Sequence, residues 1–165
     1  MVICIRYFGL QVVHADKLKG GQSLLIDVND IVKNLNKQDL KVLRSERIKF
    51  KIPSEFSRGG NQVNEGRIIS HNKDKFNNLM IRYRRDIIMN RETMDSRMES
   101  ALKSLESLIQ IDKSKLIKYH IMKDNDIFII DNTRWLHGRT CINDLNRHLV
   151  RIRFQSKYKS LFPIY

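Results

Sequence analysis

The chain is 165 residues long, 41% hydrophobic and 30% charged, with a formal net charge of +13. That length can bury one core and suits a single domain over residues 1–165, while no segment is apolar for long enough to cross a membrane and MVICIRYF is too short and mixed for a secretory signal. Cys4 and Cys141 have neither metal-ligand spacing nor a disulfide framework, so a soluble, cytoplasmic protein with two buried, reduced thiols is expected.

In chain order, Leu10 to Val13 and Gln22 to Asp27 read as strands, joined by a loop in which Gly20 and Gly21 serve a sharp turn. The stripe Ile31, Val32, Leu35, Val42 and Leu43 predicts a helix over Asp30 to Arg44, capped by Asp27 or Asn29. Arg47 to Ile52 alternates and stops at Pro53, as an edge strand does, and Ser57 to Asn64 is an exposed loop. Leu79 to Tyr83 is a short strand with a basic surround. Thr93 to Ile109 carries Met98, Leu102, Leu105 and Ile109 at helical spacing, a pattern of core packing. Leu116 to Ile121 is a strand with His120 as a structural residue, and Asn125 turns the chain in a left-handed conformation.

The stretch DIFIIDNTRWLHGRTCINDLNRHLVRIRF holds the chemistry. Ile127 to Ile130 is an apolar run that predicts a strand buried on both faces, and His137 follows after a short polar turn. In His148 to Phe154, Val150, Ile152 and Phe154 share one face, while Leu149 shares the other with Arg147, Arg151 and Arg153. Guanidinium groups gathered on one face ask for an anion. A strand-end histidine and a solvated basic strand explain the same residues without a site, and the residues alone leave both readings open.

DNTRWLHGRT followed by RHLVRIRF resembles the C-terminal signature of the clavaminate synthase-like, or taurine dioxygenase (TauD/TfdA), family of Fe(II)- and 2-oxoglutarate-dependent oxygenases. The resemblance is strongest to the gamma-butyrobetaine and trimethyllysine hydroxylase branch. Near the start, GLQVVHADKLKGGQSLLID resembles the family's strand, loop and Gly-Gly-x-Ser/Thr segment. What this implies is an α+β protein built on a double-stranded β-helix, or jelly roll, with flanking helices. It implies Fe(II) as cofactor, 2-oxoglutarate and O2 as cosubstrates, and hydroxylation of a small molecule, for instance a trimethylammonium amino acid such as gamma-butyrobetaine. His137 takes the place of the distal iron-binding histidine of a two-histidine, one-carboxylate set. Arg151 takes that of the arginine on the far carboxylate of 2-oxoglutarate, with Arg147 and Arg153 as alternates, and Ser23 that of the hydroxyl donor to the same carboxylate. A trimethylammonium substrate calls for an aromatic cage, for which Tyr7, Phe8 and Tyr83 are candidates, and Trp135 is placed to wall the pocket.

The sequence departs from the family at the His-x-Asp/Glu motif. By register that motif falls before Met1, whereas His14-Ala15-Asp16 has the right letters in the wrong slot and reads as a strand-end histidine and a loop carboxylate. The expectation is therefore an N-terminally truncated, incomplete jelly roll with an unpaired edge that favours homodimerisation. Two other readings stand beside the oxygenase: an inactive fragment lacking the first two iron ligands, and a nucleic-acid-binding module driven by charge. Against the latter, no zinc-finger, helix-turn-helix or stacking pattern is visible.

Overall fold

The computed structural model describes residues 6–53, 62–71 and 79–154. Of these, residues 6–27 and 117–154 belong to one compact unit and the rest, between 28 and 116, to another. The elements in chain order are β1 (Tyr7–His14), β2 (Ser23–Asp27), α1 (Val28–Asn34), α2 (Lys37–Ser45), β3 (Ile48–Lys51), β4 (Val63–Gly66), β5 (Ile69–His71) and β6 (Leu79–Ile81). They continue with α3 (Ser96–Ile109), β7 (Lys118–His120), β8 (Ile127–Asp131), β9 (Trp135–Arg139) and β10 (His148–Phe154). The class is α+β, and the described strands close no barrel.

The end unit consists of two three-stranded antiparallel sheets, ordered β10-β1-β8 and β7-β2-β9. Directly opposed residues of a ladder point to the same side. Phe8, Leu10 and Val12 of β1 therefore share a face with their partners Ile130 and Phe128 on β8 and Arg153, Arg151 and Leu149 on β10. That face meets the second sheet. Val12, Ala15 and Met122 are buried together, with Leu10, Phe128 and Leu149 packed against them, and the His120 ring stacks on Phe128 at 5.1 Å between centroids.

This arrangement corrects one reading of the sequence. Ile127 to Ile130 is not buried on both faces: Ile127 is 70% exposed and Ile129 45%, because the first sheet meets the second on one side only. On β10 the aliphatic residues Val150 and Ile152 face outward, at 42% and 60% exposure, and the arginines lie on the inner face. His137 follows the short turn after β8, as expected, and lies inside strand β9. The expectation for the thiols fails at Cys141, which is exposed in the loop after β9, and Cys4 lies outside the described residues.

Asn125 adopts the left-handed conformation, with φ of 70°, and its N–H donates to the Val12 carbonyl, pinning the turn before β8 against β1. The predicted loop Ser57 to Asn64 falls largely outside the described residues, except that Val63 and Asn64 belong to β4.

The middle unit holds α1, α2, α3 and the pairs β3–β4 and β5–β6. The helix predicted over Asp30 to Arg44 is two helices. Asn36 leaves helical geometry and its side chain accepts from the Asp39 N–H, so α2 starts with its own cap. Helix α3 begins at Ser96 rather than Thr93 because the Asp95 carboxylate caps it at the Arg97 N–H. Its buried stripe is Met98, Ala101, Leu102 and Leu105, as the spacing predicts. Among the described residues no helix is long and apolar enough to cross a membrane.

Candidate active site

Strand β2 sets the first half of the site. Its alternation directs Ser23, Leu25 and Asp27 to one face, and the opposed residues of β9, namely Arg139, His137 and Trp135, share that face. Two glycines make the approach to β2. Gly21 has φ of 62°, and a Cβ there would stand 2.6 Å from Arg147 Nε, so only glycine admits the arginine. The exit of β9 is tied to the same segment: Gly21 N–H donates to the Cys141 carbonyl at 2.7 Å, and Gln22 N–H to Thr140 Oγ1 at 2.9 Å.

The entrance to β9 is fixed by Asp131. Its carboxylate accepts from the Thr133 N–H and hydroxyl, at 3.0 and 2.7 Å, and pairs with Arg6 at 3.1 Å. Arg134 then places both Nε and Nη2 on the buried Asp27 carboxylate, at 2.9 and 2.7 Å, clamping the start of β9 to the end of β2. Trp135 lies beneath the cations of Arg134 and Lys118, which are 5.5 and 5.3 Å from its ring.

His137 projects from this strand toward β1. Its ring lies 4.6 Å from that of Phe8, and Nε2 is 3.0 Å from Asn132 Oδ1. The ring keeps an edge open to solvent, yet the protein atoms around it withdraw enough water to lower its pKa, and the Arg151 guanidinium lowers it further. The imidazole is thereby held neutral at neutral pH, the form that ligates a metal. Phe8 shares its face of the first sheet with Arg151 and Arg153 of β10, so the His137 ring meets the sheet face that carries these arginines.

The remaining candidates separate into two groups. Arg151 and Arg153 lie level with Leu10 and Phe8, on the His137 side. Arg147 precedes β10 and sits over Gly21, its Nη2 at 3.4 Å from the Gly21 carbonyl. Burial and the neighbouring Arg139 guanidinium push the pKa of Arg147 below the arginine norm, while Asp16 acts in the opposite sense. Ser23 is buried, and its hydroxyl reaches only the Met122 thioether, at 3.8 Å.

His14 is exposed and pairs across the ladder with His148. The Asp16 carboxylate is occupied by the N–H groups of Leu18, Asn143 and Asp144; desolvation opposes these bonds, and they still bring its pKa below the carboxylate norm. Among the described residues, no three His, Cys, Asp or Glu side chains come together to hold a metal. The described residues do not fit a complete three-ligand iron centre, and among them His137 stands as a single candidate ligand.

Within the end unit the aromatic candidates for a cage do not converge: Tyr7 is buried and stacks on Phe154 at 5.6 Å, while Phe8 points to the opposite face of β1 against His137. Tyr83 belongs to the middle unit, where it donates to Glu106. Sequence reading quoted Arg139 within the LHGRT stretch but did not see that it shares a strand face with His137. The signal was present in the two-residue alternation Trp135, His137, Arg139, which becomes visible once residues 135–139 are read as a strand.

The model of the family described as taurine catabolism dioxygenase TauD, TfdA family matches residues 4–153, running through both units. The chain belongs to the TauD/TfdA family. No curated protein sequence matches it. Solved structures resemble it at low identity and show a shared fold. One is asparagine oxygenase in complex with Fe(II), 2S,3S-3-hydroxyasparagine and succinate, with TM-score 0.68, 18% identity and coverage of 90% of this chain and 44% of that one. A second is AAD-2 in complex with Mn(II) and N-oxalylglycine, with TM-score 0.71, 13% identity and coverage of 95% and 66%. A third is a taurine dioxygenase from Burkholderia xenovorans, with TM-score 0.67, 13% identity and coverage of 90% and 51%. This TauD/TfdA chain thus spans roughly half the length of such neighbours.

Proposed function

We propose that this TauD/TfdA chain carries the cosubstrate-binding part of an Fe(II)- and 2-oxoglutarate-dependent oxygenase that hydroxylates a small molecule. The observation that carries the reading is the contact of the His137 ring with Phe8, on the face of the first sheet that also carries Arg151 and Arg153, with Ser23 on the same face of the second sheet as His137. Arginine suits the dicarboxylate because its planar fork meets both oxygens of a carboxylate. The assignment is Arg151, with Arg147 and Arg153 as alternates, for carboxylate binding, Ser23 as the hydroxyl donor, and His137 as a metal ligand. The other iron ligands lie, in this reading, outside the described residues.

The family match favours this over a charge-driven nucleic-acid module. A gamma-butyrobetaine substrate gains no support from the aromatic side chains, which form no cage among the described residues. The test is iron-dependent formation of succinate from 2-oxoglutarate, measured on the full protein. His137→Ala is expected to abolish it, and turnover unaffected by that substitution would overturn the reading.

A further inference from the structure

The carboxylates of the end unit are Asp16, Asp27, Asp124, Asp126, Asp131 and Asp144, and each already serves the fold. Asp27 and Asp131 are taken by Arg134 and Arg6, and Asp124 by Lys17 and the Ala15 N–H. Asp16, Asp126 and Asp144 accept backbone N–H groups that close turns. Arg139 is left with no hydrogen bond or ion pair to any described residue.

Its position makes that isolation informative. Arg139 stands directly opposite Ser23 on the β2–β9 ladder, while Arg147 lies over Gly21, two residues earlier in the chain. Two like charges therefore approach one turn, and the closest carboxylate, that of Asp16, is committed to backbone amides. On the strand opposite Arg139, the Ser23 hydroxyl is more than nine-tenths buried with only a thioether to receive its proton, although a hydroxyl ordinarily finds a stronger acceptor. A carboxylate has lone pairs for several donors at once, and placing one there would offset the repulsion and give the buried hydroxyl an oxygen.

We propose that Arg139 is a further anion-binding residue, forming with Arg147 and the Ser23 hydroxyl a two-guanidinium clamp for one carboxylate of a dicarboxylate. This rests on the proposed function and deepens it by adding a residue to the carboxylate subsite, with Arg147, the alternate to Arg151, as its partner. The clamp needs no metal, so it is testable without iron.

The probe is glutarate, titrated calorimetrically into the full protein in metal-free buffer, with acetate as the monocarboxylate comparison. Arg139→Met is expected to weaken glutarate and acetate binding by a similar factor, about tenfold or more, and to flatten the salt dependence. Arg139→Lys keeps the charge and loses the fork, so it recovers only part of the affinity and serves as a second variant should the first fail to fold. If both variants bind glutarate as the parent does while Arg147→Met weakens it, the role of Arg139 is overturned and the oxygenase reading stands. If the parent protein saturates with neither glutarate nor 2-oxoglutarate, both fall together.

Discussion

Tyr83, Arg91 and Glu106 show how single residues of the middle unit carry pH dependence. The Arg91 hydrogen bond holds the Glu106 carboxyl below its ordinary value against the opposing effect of burial, and Tyr83 adds a second donor. Burial and then the Glu106 carboxylate push the Tyr83 phenol above its ordinary value of 10.0. The signs follow from linkage. The Glu106 contribution is complete above its unfolded pKa and is lost as pH falls through the folded value. That of Tyr83 is complete below pH 10 and is lost as pH rises through the folded value. Tyr83→Phe should therefore cost about 1 kcal/mol at neutral pH, flatten the alkaline limb of the stability profile and, by removing one donor to Glu106, shrink the acid limb in part. Denaturant titrations across pH would show this, and an unchanged alkaline limb would refute it.

At the scale of elements, Arg134 is a clamp between β2 and β9, and its partner Asp27 is buried. Arg134→Met removes both of its charge-assisted bonds to Asp27. Because the arginine itself is 38% exposed, the expected loss is about 2 kcal/mol rather than the full cost of a buried pair. Urea unfolding would measure it, and a loss below a few tenths would mean the clamp is ornamental.

The elements also show which signals a single sequence contains. The period of β10 was legible, but alternation gives two faces without saying which turns inward, and the arginines took the inner one. The helical stripe of the middle unit was legible, while its break at Asn36 was not, since asparagine occurs both within helices and as their cap. Val63 to Gly66 has too polar a composition to announce a strand, and β9 was hidden because WLHGR lacks a clean apolar alternation. His137, Arg151 and Ser23 came from resemblance. Arg139 needed the ladder that sets it beside Ser23.

For the whole molecule, the charge of +13 and the outward aliphatic face of the first sheet act in opposite directions. Val13, Ile127, Ile129, Val150 and Ile152 are exposed on one sheet face with Gln11 among them, a contiguous apolar area of the kind that promotes association. Raising salt screens the charge and leaves the apolar area. Light scattering is thus expected to grow with ionic strength, and the pair of substitutions Ile127→Lys and Ile152→Lys to suppress that growth. Scattering that falls with salt, or that the two lysines leave unchanged, would contradict this.

Strand β9 lies at the rim of its sheet, bonded on one side only among the described strands. The backbone bearing His137 therefore has half the anchorage that β1 or β2 enjoys. Its amides directed away from β2 should trade deuterium for hydrogen far sooner than those of the central strands. The imidazole is consequently held by side-chain contacts to Phe8 and Asn132 more than by the peptide scaffold, and loosening either neighbour would blur its position while leaving the sheet intact.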